Sequence, residues 1–208
     1  MTSSESALVR LCAALAGGVP SQLAEAIDEA SESSDPVEAE EAILQCYLFT
    51  GFPAVIKAMS LWRQRTGHKA GPARAEDEAG FVERGERICA TVYGGQYERL
   101  RENVRVLHPD LERWMLGEGY GKVLGRPGLS LRVRELCIIA VLAAQDAPRQ
   151  LYAHLRGALN AGAEPADVEA VLGAAAAIVP SRHAEAAWRT WQDVRQHRRP
   201  EDSRSHVR

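Results

Sequence analysis

Glycines and prolines cut this chain into apolar, alanine- and leucine-rich stretches, each about the length of a globular-protein helix. Alternating β-branched runs are missing and aromatic residues make up only 6% of the chain. Alanine and leucine are strong helix formers, so the pattern predicts an all-α fold. The punctuation orders the helices. Gly17-Gly18 closes a first and Pro20 opens a second. Asp35-Pro36 opens a third, because aspartate caps free amides and proline suits a first turn. Gly51-Phe52-Pro53 ends that one and starts a fourth, running to about Thr66. Helices are expected near 81–92 and 96–107, and another from Pro109. The glycine-rich stretch Gly117 to Pro127 reads as part loop. Ser130 caps a helix through Ala144; Asp146 and Pro148 start the next, which ends at Gly162. Pro165 starts another, Pro180 breaks it, and a last helix runs to about His197.

A chain of 208 residues, 46% hydrophobic, has enough apolar material for one large domain or two small ones. The formal net charge of -3 provides no basic field for nucleic acid. The longest apolar run, Leu136 to Ala144, is too short to span a bilayer, so no membrane partner is expected. MTSSESALVR has no basic segment followed by an apolar core, which leaves a cytoplasmic location as the expectation. Cys12, Cys46, Cys89 and Cys137 are scattered, without CxxC or zinc spacing. They read as buried small hydrophobes, and neither metal nor cofactor is expected.

The two ends of the chain look alike. Residues 11–46 and 136–174 both run Leu-Cys, an apolar helix, a proline, Gln-Leu, an acid-Pro loop and a final apolar helix. At an offset of 128, Gln22, Leu23, Ala30, Glu41, Ala42 and Leu44 meet identical residues. We expect two pseudo-repeats: 1–66 as a diverged N-terminal helical repeat and 81–198 as a C-terminal one carrying the candidate site. Residues 67–80 are the connector and 199–208 a flexible tail.

The segment 108–172 resembles the carboxymuconolactone decarboxylase family, which shares its fold with alkylhydroperoxidase D. The resemblance is carried by Pro127-Gly128-Leu129-Ser130 at a helix start and by Arg134-Glu135-Leu136 with the apolar helix after it. Gln150-Leu151, His154, Ala158 to Gly162 and Glu169 follow in order. Residues 11–66 look like a second, diverged copy. The resemblance implies an alkylhydroperoxidase D-like all-α fold and a homo-oligomer. Three double units would build the ring that six single units form, so a trimer is favoured. The peroxidase branch carries CxxCxxxH; with His154 as its histidine, the cysteine positions hold Ala147 and Gln150. The resemblance therefore points to the decarboxylase branch, with a small anionic cyclic lactone as substrate.

Glu135 lies on an otherwise apolar helix, where desolvation suits a carboxyl to proton transfer. His154 borders the stripe of Leu151, Leu155 and Ala158, and an imidazole there exchanges protons near neutral pH. With the resemblance, these two are the candidate catalytic residues. No equivalent histidine exists in the first half, where Ala26 takes the place. Arg126 is the candidate grip for a substrate carboxylate. Tyr120 and Trp114, with Tyr93 and Tyr97 nearby, are candidates to line the pocket. A pairing of Glu135 with a neighbouring arginine is the structural alternative. Two further functional alternatives stand: an antioxidant using Cys137 as a lone thiol, and a non-catalytic oligomeric binding module.

Overall fold

The computed structural model describes residues 1–72 and 80–197. Part of the expected connector and all of the expected tail lie outside them. Among the described residues there is no strand, and the fold is all-α.

Two nearly buried helices form the centre: α1, Ser3–Gly17, and α8, Leu131–Ala144. Their starts are local chemistry. Thr2 and Glu5 form a reciprocal capping box on α1, and the Ser130 hydroxyl accepts from the Val133 amide at 3.3 Å on α8. α8 is buried from Val133 through Ala144, so both of its sides must be covered. α1 packs on α2 (Pro20–Ser33), α3 (Pro36–Gln45) and α4 (Tyr47–Thr66). α8 packs in the same order on α9 (Pro148–Asn160), α10 (Pro165–Ala176) and α11 (Ser181–His197), and α1 and α8 pack on each other. No single described helix is long and apolar enough to cross a membrane.

The two sets share side-chain contacts as well as order. In the first, the Trp62 indole donates to Glu40 at 3.4 Å, and Arg63 also pairs with Glu40. In the second, Trp191 donates to Glu169 at 3.2 Å, and Arg195 also pairs with Glu169. The register is not constant. Pro20 and Pro148 agree at the offset of 128, but the loop before α10 is longer than the one before α3. Counted from the helix starts, Glu40 and not Glu41 holds in α3 the position that Glu169 holds in α10.

Two expectations need correction. The third helix stops at Gln45 rather than at Gly51, and residues 47–50 form a separate turn. The fourth helix starts where expected: Gly51, whose φ of 77° and ψ of 165° suit glycine, breaks α4, and the helix after it runs to Thr66. Residues 115–124 are not loop but a π-helical segment, Met115–Leu124. Its glycines had suggested a loop, yet they serve a helix crossing. A Cβ on Gly121 would lie 1.9 Å from the Phe81 carbonyl oxygen, and one on Gly85 1.9 Å from that of Leu116. The segment thus lies backbone to backbone on α5, Gly80–Tyr93, and the wide π turn fits that contact.

α6, Tyr97–Leu107, has no buried residue and is held mainly to α7, Pro109–Trp114. Glu112 is the clamp: Arg101 Nε donates to it at 2.8 Å and Arg105 Nη2 at 2.7 Å. The two arginines push its carboxyl down to about 2. A depressed carboxyl stabilises above its unfolded value and loses that contribution as pH falls through the folded one. Protection of the α6 amides from hydrogen exchange, taken relative to their intrinsic rates, is expected to fall between about pH 4.5 and 2, and Glu112→Gln to abolish that pH dependence.

Candidate active site

Glu135, on the first turns of α8, faces α9. Its Oε2 lies 2.8 Å from Nδ1 of His154, in the middle of α9. The carboxylate is fully buried and the histidine is 7% exposed. The two residues sit 19 positions apart in sequence, yet packing of α8 on α9 joins them. A carboxylate oxygen facing Nδ1 sets the tautomer: Nδ1 carries the hydrogen, and Nε2 is left for a ligand. The other oxygen, Oε1, is buried with no hydrogen-bond partner among the described residues.

The pair has its seat in Gly157. A Cβ there would lie 2.7 Å from Oε2 of Glu135 and 2.6 Å from Cγ1 of Val92. The carboxylate occupies the space of a missing side chain. Gly157→Ala is expected to push Glu135 off His154, with a stability cost of about 1–3 kcal/mol. The His154 imidazole ¹⁵N shifts would report the broken hydrogen bond.

Three other elements close the site. From α4, Phe49 meets the His154 ring edge-on at a centroid distance of 5.9 Å. From α5 come Cys89, Val92 and Tyr93, and from the π-helical segment comes Tyr120. Tyr93 and Tyr120 form an edge-to-face pair at 6.2 Å. Burial, with the nearby Glu135 charge adding, raises the Cys89 thiol to about 12. Burial raises Tyr93 to about 12 as well, although a hydrogen bond with Tyr120 lowers it and the Glu135 charge adds. Tyr120 is pushed well above the usual phenol range by burial and then by the charges of Tyr93 and Glu135. Both tyrosines therefore remain hydrogen donors at neutral pH.

Of the expected substrate-binding residues, Tyr120 stands beside the pair and two do not. Arg126 binds Glu41 through Nε at 3.0 Å and Nη2 at 2.9 Å. A buried carboxylate 85 positions away already takes its fork. Trp114 ends α7 and is 53% exposed. Arg134, next to Glu135, points the other way: fully buried, its Nη2 donates to Glu41 at 2.8 Å. Cys137 also lies away from the pair. A hydrogen bond with Cys12, followed by burial, raises its thiol well above the usual range, so it is a core residue and not a nucleophile. Phe49, Cys89 and Gly157 were missed, and only the last left a trace in sequence, a glycine inside a helical stretch.

The first helical set carries no such pair. Helix starts equate Glu135 with Ala7 and His154 with Ala26, both buried.

A model of the carboxymuconolactone decarboxylase family matches residues 109–193, the span that carries Glu135 and His154. Peroxisomal protein 2 of Schizosaccharomyces pombe is 33% identical over 146 residues, which cover 67% of each chain. The chain belongs to the carboxymuconolactone decarboxylase family. Peroxisomal protein 2 of Saccharomyces cerevisiae is 34% identical over 110 residues, covering 52% of this chain. This family member spans only 38% of that relative's length.

Proposed function

We propose that this chain catalyses cofactor-free acid–base chemistry on a small cyclic lactone acid, in the manner of a decarboxylase. The buried Glu135–His154 contact of 2.8 Å carries the reading. Glu135 holds the imidazole and balances the charge it gains, leaving Nε2 for the substrate. In decarboxylation the bond to the carboxylate breaks and CO₂ leaves. The electron pair passes into the conjugated lactone carbonyl. Protonated Nε2 of His154 then delivers a proton to carbon, and water restores it.

The distance of Arg126 from the pair changes the expected grip on the substrate. A carboxylate that leaves as CO₂ loses its charge, and a cation clamped to it would hold it back. Turnover of carboxylated muconolactones, followed as CO₂ release, tests the reading; no turnover by the wild-type chain removes the decarboxylase assignment.

A second reading, thiol-based antioxidant chemistry, rests on Cys89, which the structure brings beside Glu135, and no longer on Cys137. Its raised thiol counts against it. Rapid modification of native Cys89 by a thiol reagent would favour it.

The two helical sets are read here as a duplication whose first copy became scaffold. Val106, Leu107, Leu111 and Trp114 on α6 and α7 are exposed apolar residues. They support self-association, with a trimer favoured, and light scattering showing a monomer at micromolar concentration contradicts it. Two relatives carry a peroxisomal name. Imaging of the tagged full chain decides between that compartment and the cytoplasm.

A further inference from the structure

We propose that residues 47–50 form a gate over His154, with Phe49 as its closing side chain, and that a ligand reaches the imidazole when this turn swings out about Gly51. What passes the gate rests on the acid–base reading; the motion itself does not.

As the chain stands, the pair is shut from solvent. Glu135 has no exposed surface and His154 keeps 7%. An imidazole that exchanges a proton with a ligand must touch it, so part of the cover has to move. Most of that cover is locked. α8 is buried on both sides. α5 fits α9 so closely that a Cβ on Gly157 would lie 2.6 Å from Cγ1 of Val92, and the π-helical segment lies backbone to backbone on α5. The Phe49 ring is held differently. It meets the imidazole edge-on at 5.9 Å but is only half-buried, so its outer side faces water.

The turn that carries this ring is built to move as one piece. Cys46, fully buried, anchors its start. The Cys46 carbonyl accepts from the Phe49 amide at 3.0 Å, the Thr50 amide at 2.8 Å and the Thr50 hydroxyl at 2.9 Å. None of the four residues of the turn is fully buried. At the other end stands Gly51, whose φ of 77° and ψ of 165° lie in a region open essentially to glycine. Two residues later Pro53 stiffens the first turn of the helix that follows. Rotation between a closed turn and a stiff helix start concentrates on the glycine.

Two surface latches hold the turn to the elements that build the site. Gln145, at the end of α8, donates through Nε2 to the Phe49 carbonyl at 2.7 Å. The Tyr47 hydroxyl donates to Glu118 of the π-helical segment at 2.8 Å. Gln145 and Glu118 are both exposed, so water replaces either bond at modest net cost. Tyr47 also stacks on Phe52 across the hinge at 4.9 Å, and Phe52 is itself 63% exposed.

The test is the rate at which diethyl pyrocarbonate acylates His154 in the full chain, read by peptide mass spectrometry against the exposed His108 as internal standard. It needs no substrate. Gln145→Ala and Tyr47→Phe each remove one latch, and neither latch bonds to the imidazole. Each should raise the His154 rate about fivefold, the shift in open population for one lost hydrogen bond. The double variant should reach about 25-fold if the latches act independently. Phe49→Ala should raise the rate at least about tenfold, because it removes the cover outright. Labelling of the buried Cys137 by a thiol reagent follows the core, and Cys137 should stay protected in every variant. Latch variants within about twofold of wild type overturn the proposal even when Phe49→Ala is fast, because the ring is then a fixed cover. Acceleration matched by Cys137 labelling overturns it as well, because the whole chain is then opening. Faster acylation in the latch variants without turnover of carboxylated lactones upholds the gate and rejects the decarboxylase reading; turnover with unchanged acylation rates does the reverse.

Discussion

His154→Ala is expected to lower kcat on a carboxylated lactone by about 10²–10⁴-fold, the usual contribution of a positioned proton donor or acceptor. The chain should still fold. His154 is 7% exposed, and among the described residues its ring hydrogen-bonds only Glu135. The substitution leaves the fully buried Glu135 carboxyl with no hydrogen-bond partner among the described residues, so a fall in melting temperature of several degrees should accompany the rate loss. Glu135→Gln separates the two roles. The amide keeps the shape and can still face Nδ1, but it no longer balances an imidazolium. It should lose rate nearly as far while melting close to the wild type. Because the pair acts as a unit, the double variant should be little slower than His154→Ala. A rate within threefold of wild type for His154→Ala, read with a melting curve showing a folded chain, would take the histidine out of the mechanism.

Glu41→Ala is expected to cost about 3–5 kcal/mol of stability, the range for removing one partner of a buried ion pair. Arg134 has no exposed surface, and Glu41 is its only carboxylate partner among the described residues. Its remaining contacts are to neutral groups: the Leu129 carbonyl at 3.3 Å, the Arg126 carbonyl at 3.1 Å and the Gln45 side chain at 3.5 Å. Burial already disfavours the charge on Arg134, and Glu41 opposes that effect. For a chain of this size the loss corresponds to a melting temperature lower by roughly 6–20 °C. The pH dependence has a definite sign. Burial raises the Glu41 carboxyl, but hydrogen bonds from Arg126 and Arg134 outweigh it and leave the carboxyl below its ordinary value. The pair therefore stabilises above the unfolded carboxylate range and stops doing so as pH falls through the folded value. Glu41→Ala should lose that part of the acid sensitivity. A cost under about 1 kcal/mol would show that Arg134 finds other solvation.

These two expectations also show how the family site is built. Neighbours on α8 face opposite ways: Glu135 meets α9 of its own helical set, and Arg134 meets α3 of the other. The first set has alanines where the second has its acid and histidine, yet it supplies the carboxylate that holds α8 in place and the Phe49 ring against His154.

Sequence alone determined the helices, because capping residues, prolines and helix-forming runs act over a few neighbouring positions. Thr2, Asp35 and Ser130 cap the helices that follow them by contacts within three residues. Glu135 and His154 were legible as candidates through their setting on apolar helix faces and the family pattern around them. The tertiary structure decided what surrounds them. Arg126 had a plausible substrate role until a carboxylate from α3 took its guanidinium, and Cys137 lay near Glu135 in sequence but on another side of the helix. Cys89, Phe49 and Tyr93 reach the pair from elements distant in the chain. A side chain's neighbours depend on which faces are buried together, and that choice is made by the whole core. Gly157 shows it in a single atom: its missing Cβ is informative only once a carboxylate is seen in the space it leaves.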